Sequence, residues 1–100
     1  MHGKVKRIVN KIMKHIKKLD NNTKITTYQL CRDVGYDDND CLDMLNIDYT
    51  LWQYCCRAGI LLDSSEFDGQ TLGLPYNLPF IIKKIGKNNF QSEYAKYINR

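Results

Sequence analysis

The chain is defined first by what it lacks. No stretch approaches the roughly 18 uninterrupted apolar residues that a membrane-spanning helix requires, and lysines interrupt every apolar run near residue 1, so no signal-peptide core forms. Imidazole is scarce: His2 and His15 are the only histidines in 100 residues. There is no Cys-x-x-Cys pair, no Gly-x-Gly-x-x-Gly turn, no Walker loop and no Gly-x-Ser-x-Gly elbow. Those absences remove the usual signatures of thiol redox chemistry, nucleotide binding and serine hydrolysis. Proline is confined to Pro75 and Pro79, and the single tryptophan is Trp52. The expectation is a cytoplasmic protein with reduced thiols. It is expected to be no enzyme, to need no cofactor or metal, and to have no membrane partner.

What is present has a clear layout. A chain of 100 residues suits one domain over 1–100. Such a domain hides roughly 60–65% of the surface its unfolded form exposes. The net charge of +4 is unevenly spread. Residues 1–20 hold Lys4, Lys6, Arg7, Lys11, Lys14, Lys17 and Lys18 against Asp20 alone. Residues 33–48 hold six aspartates and no base, and residues 83–100 are basic again. Basic regions suit an anionic partner such as DNA, while the acidic middle must face elsewhere.

Val5, Ile8, Val9, Ile12, Met13, Ile16 and Leu19 follow helical spacing and predict a helix over about 3–19. Thr26 or Thr27 can cap a short helix over 27–34, closed by Gly35. Residues 37–47 fit either a short helix or an ordered loop. Asp48 is a good N-cap for a third helix ending at Ala58, with Gly59 as its stop and Leu51, Trp52, Cys55 and Ala58 on one face. Ile60-Leu61-Leu62 suits a strand, and Gln70–Leu74 suits a return strand. Leu74 and Leu78 precede prolines and favour extended backbone, after which 80–82 suits a strand. Asn88 or Asn89 can cap a final helix with Phe90, Tyr94, Tyr97 and Ile98 facing inward.

The segments TTYQLCRDVG (26–35), LWQYCCRAGIL (51–61) and LLDSSEFDGQTLGL (61–74) together resemble a winged helix-turn-helix domain. They correspond to its second helix with glycine, its third helix running into a strand, and its wing. The resemblance implies a mainly α protein with a small β-hairpin (α+β). Its expected layout is three N-terminal helices, a wing hairpin and a C-terminal helix. It also implies DNA binding, with Thr50, Gln53 and Arg57 as base readers on the third helix. The sequence departs from the pattern through an extra stretch, NDCLDML (39–45), and through a third helix whose only base is Arg57.

The cysteines at 31, 41, 55 and 56 are separated by nine, thirteen and zero residues, unlike the close pairs of a zinc site. Adjacent side chains on a helix diverge by about 100°, so Cys55 and Cys56 do not converge on one ion. Cys31, Trp52 and Cys55 fit as core residues, with Cys56 and Arg57 towards the surface. The aspartates at 37, 38, 40 and 43 miss the calcium-loop register, because its fifth position falls on Cys41 or Leu42. His15, beside the apolar stripe, is expected to be a solvated surface residue.

Lys4, Arg7, Lys11, Lys14 and Lys18 recur at steps of three or four and can line phosphates. The plainer alternative is a solvated face. Lys83, Lys84 and Lys87 can add to the phosphate-binding surface; with Lys96, Arg100, Phe90, Tyr94 and Tyr97 they also suit stacking on a single strand. The leading expectation is a small nucleic-acid-binding module in transcription control or replication. The alternative is a protein-interaction adaptor, such as an accessory subunit of a larger replication or recombination enzyme on a mobile element. Asp37, Asp38, Asp40, Tyr49, Tyr54 and Tyr76 are its candidate contacts.

Overall fold

The computed structural model describes residues 2–63 and 79–90. Helix α1 (His2–Ile16) forms as its spacing predicts: Val5, Ile8, Val9, Ile12 and Ile16 are buried along one side. It ends three residues short of Leu19. There the chain tightens, with Lys18 and Leu19 donating to carbonyls three residues back at 2.9 and 3.1 Å. Asn22 then takes a left-handed conformation, φ 70°, and the chain reverses into a two-residue strand β1 (Lys24–Ile25) that no sequence pattern announces.

Helix α2 (Thr27–Asp33) is capped by Thr26, whose hydroxyl accepts from the Gln29 amide at 3.0 Å. Residues 38–43 form turns, and helix α3 (Met44–Ala58) begins four residues before the expected N-cap. The correction has a packing cause. Met44 and Ile47 continue the core spacing of Leu51 and Cys55, so the helix extends back to bury them. Asp48 therefore lies inside the helix, buried, with one carboxylate oxygen accepting from the Thr27 hydroxyl. Asp43 occupies the N-cap instead, and its carboxylate accepts from the Asn46 side chain at 2.8 Å. Trp52 and Ala58 are half-buried, whereas Leu51 and Cys55 are fully buried.

Gly59 ends α3 as expected, with φ 75°. It has a second reason to be glycine. A Cβ there would lie 2.3 Å from the Gly86 carbonyl carbon and 2.4 Å from the Lys87 nitrogen. The Gly59 carbonyl accepts from the amides of Ile85 and Gly86 at 3.2 and 2.9 Å. This contact pins the end of α3 to the chain that follows strand β3.

Strand β2 (Ile60–Asp63) pairs antiparallel with β3 (Phe80–Lys84), with Ile60 opposite Lys84 and Asp63 opposite Ile81. Strand β1 pairs with the other edge of β3, giving an antiparallel sheet in the order β1-β3-β2. The partner of β2 is thus β3; the expected return strand at 70–74 lies outside the described residues, as does most of the wing. Residues 87–90 are helical, starting just before the expected cap, and Phe90 is buried. Tyr94, Tyr97 and Ile98 lie outside the described residues. The described residues form an α+β globule: three helices and a short helical turn on a three-stranded sheet. α1 and α3 enclose most of the core, with Leu30 and Cys31 from α2 and Ile60 and Ile82 from the sheet. Among the described residues no helix is long and apolar enough to cross a membrane.

Candidate nucleic-acid interface

Because α1 spends its apolar residues on one stripe, the rest of its circumference is left to polar groups. It contains no acid. Lys6, Arg7, Lys11 and Lys14 are exposed on it, and Lys17 and Lys18 continue the charge past its end. The basic last turn, Lys14 and His15, also suits the negative end of the helix dipole.

Two expected phosphate contacts on α1 already have partners. The Lys4 ammonium lies 3.4 Å from the Asp40 carboxylate, and that of Lys11 sits 5.1 Å from the centre of the Tyr36 ring. Both lie along the edge of α1 that meets residues 36–40. Arg7, Lys14 and Lys18 are on the exposed surface, joined by Lys6 and Lys17, which periodicity from Lys4 had passed over. His15 is a correction. It is half-buried, its Nε2 3.2 Å from an Asp33 carboxylate oxygen, and it ties α1 to α2 rather than standing in solvent.

The lysines of β3 face inward obligations. Lys83 pairs at 2.7 Å with Asp63, a buried carboxylate. The Lys84 ammonium donates to the Lys17 carbonyl at 3.2 Å and to the Leu19 carbonyl, while its backbone amide donates to Asn21 Oδ1 at 2.8 Å. It thereby satisfies carbonyls that the end of α1 leaves open. Lys87 is exposed. Lys96, Arg100 and Tyr76 lie outside the described residues.

On α3, Thr50 and Gln53 are half-buried and Arg57 is exposed. The Arg57 guanidinium sits 5.9 Å from the ring of Tyr54, itself half-buried. The spacing of 50, 53 and 57 places them on one side of the helix. Beside them Tyr49, an expected partner contact, is 57% exposed, joined by Leu42 and Leu45, 84% and 54% exposed, which the sequence pattern does not single out. Their steps of three and four were the available signal. It was masked by the interleaved core stripe of Met44, Ile47 and Leu51.

The acidic loop is built from its own aspartates. Asp37 and Asp40 exchange side-chain-to-backbone bonds, with each amide donating to the other's carboxylate at 3.0 and 2.9 Å, the reciprocity of a capping box. The Asp37 backbone bond, then its side chain and Lys4, hold the Asp40 carboxyl below its ordinary range. Asp38 pairs with Arg32 at 3.3 Å.

The thiols have the surroundings of packing groups. Cys31, Cys41 and Cys55 are buried and free, and Cys56 is half-buried. Burial pushes the Cys55 thiol up to about 12 and raises those of Cys31, Cys41 and Cys56, away from the thiolate form that nucleophiles and metal ligands need. Cys55 Sγ lies 3.7 Å from Met13 Sδ, between α1 and α3. Among the described residues no group of three or more His, Cys, Asp and Glu is placed to hold a metal ion. No protein-family model matches the chain, and neither curated proteins nor solved structures supply a match.

Proposed function

We propose that this chain is a small, non-enzymatic, winged-helix-like module that binds DNA through its phosphates, in a transaction such as transcription control or replication. The element order α1-β1-α2-α3-β2-β3 and the strand order β1-β3-β2 are compatible with a winged helix-turn-helix topology. The observation that carries the reading is the outer face of α1: a helix of 15 residues without an acid, exposing Lys6, Arg7 and Lys14 and followed by Lys17 and Lys18. A row of exposed cations neutralises phosphates without reading bases, because base recognition needs donors and acceptors aimed into a groove. Thr50, Gln53 and Arg57 supply few such groups, so affinity arises mainly from charge. Fluorescence anisotropy with labelled duplex and single strands tests this. The expected outcome is binding that weakens steeply with salt and varies little with sequence; no binding at low salt would end the proposal.

A second reading, a protein-interaction adaptor serving a larger replication or recombination enzyme, is favoured by the exposed Leu42, Leu45 and Tyr49. The two readings use different surfaces and are compatible in one molecule.

A further inference from the structure

The turn between α2 and α3 opens a groove of about 650 Å³. Tyr28 and Arg32 of α2, Asp38 of the turn, and Leu42, Asp43 and Leu45 leading into α3 line it. Tyr49 stands one helical turn beyond Leu45 and is equally exposed. Leu45 and Tyr49 share one side of α3, turned away from the strip that packs in the core, and Leu42 precedes them in the turn. The wall across from it is already ordered. The Arg32 guanidinium lies 6.0 Å from the centre of the Tyr28 ring and 3.3 Å from the Asp38 carboxylate. Large apolar side chains held in the open beside a groove mark a recognition surface.

We infer that this groove receives an amphipathic helix of another protein, with leucine-like residues entering between Tyr28 and Leu45 and lysines or arginines meeting the rim. The charge of the rim selects that occupant. Asp38 and Asp43 line the groove and Asp37 adjoins it, against the single guanidinium of Arg32. A second copy of this chain is a poor occupant. Two grooves meeting across a two-fold axis would bring Asp38 and Asp43 against their own counterparts. The basic helix of a second copy offers the right charge but no apolar side chains, because Val5, Ile8, Val9, Ile12 and Ile16 are buried in its own core. A partner helix with both features meets the requirement, in the helix-in-groove mode.

The test uses the full chain and a designed helical peptide of ~18 residues, long enough to hold some helix alone. Its leucines sit at i, i+3, i+4 and i+7 and lysines flank them; a sibling peptide carries glutamates in place of the lysines. Binding is followed by calorimetry and by amide chemical shifts. The lysine peptide is expected to bind saturably, with the largest shifts at Leu42, Leu45 and Tyr49. The glutamate peptide should bind at least about tenfold more weakly. The variant L42S/L45S/Y49S should lose at least about tenfold in peptide affinity. It should keep its helical spectrum and its affinity for DNA, which separates this result from a failure of the DNA-binding proposal. Asp38→Asn with Asp43→Asn should weaken the lysine peptide and reduce its salt dependence. Equal binding of the two peptides, absence of saturable binding, or shifts confined to other surfaces would overturn the inference. Self-association of the wild type that disappears in L42S/L45S/Y49S would also overturn it, by assigning the groove to a second copy.

Discussion

Helices α1 and α3 have the same length, 15 residues, and pack against each other, yet their outer surfaces are opposites. α1 has one apolar stripe, and its remaining circumference is cationic. α3 has a core stripe through Met44, Ile47, Leu51 and Cys55, a second apolar strip outside at Leu45 and Tyr49, and one base, Arg57. The first surface suits a diffuse array of phosphates. The second suits a shaped apolar partner. In a domain this small, two elements that share one core can therefore serve two kinds of ligand, because core packing constrains only one side of each.

The largest blow to the comparison is to remove the frame that holds both helices. Gly59→Ala forces a left-handed conformation on alanine and drives its Cβ into the backbone of Gly86 and Lys87. A loss of about 3–5 kcal/mol is expected in urea unfolding, with DNA and peptide binding failing together as the fold is lost. A neutral outcome would show that the junction yields.

A smaller effect isolates the α2–α3 contact. Burial pushes the Asp48 carboxyl from its ordinary 3.8 up to about 6, with the Thr27 hydroxyl opposing the shift. Between those values the folded chain holds a proton that the unfolded chain has lost. The contribution of Asp48 is therefore fully present below about pH 3.8 and lost as pH rises through about 6. Asp48→Asn keeps an acceptor for Thr27 and removes the titration. It should flatten that decline and raise stability at pH 7 by about 1–3 kcal/mol, as read from melting curves across pH.

The adjacent cysteines sharpen the contrast between the inner and outer sides of α3. Cys55→Ser places a hydroxyl in the α1–α3 core and should destabilise by about 1–3 kcal/mol. Cys56→Ser, at a half-buried site, should stay within about 1 kcal/mol. Equal effects would mean that the two sides of the helix are not distinguished by packing.

The elements that periodicity and caps announce were legible: the stripe of α1, the cap at Thr26, the stop at Gly59, and Cys55 as a core residue. The rest depends on contacts between distant residues. β1 is two residues long and exists only because β3 lies beside it. The start of α3 was obscured because 42, 45 and 49 interleave with 44, 47 and 51, so two apolar strips blur into one unpatterned run. Of the candidate site, the basic face of α1 was visible as charge. The engagement of Lys83 with Asp63 and of Lys84 with the end of α1 was not, because both link residues far apart in the chain or on neighbouring strands. Likewise His15 read as a surface residue, since nothing in the sequence places Asp33 beside it.

The central claim is that the outer face of α1 meets phosphates, and the salt dependence of DNA affinity addresses it most directly. Five exposed cations, Lys6, Arg7, Lys14, Lys17 and Lys18, predict a slope of log affinity against log salt of about −4.5 on duplex DNA. Replacing Lys6, Arg7 and Lys14 with glutamine should make that slope shallower by about 2–3, with thermal stability little changed. Binding that ignores salt, or a slope that survives the three replacements in a folded protein, would contradict the account.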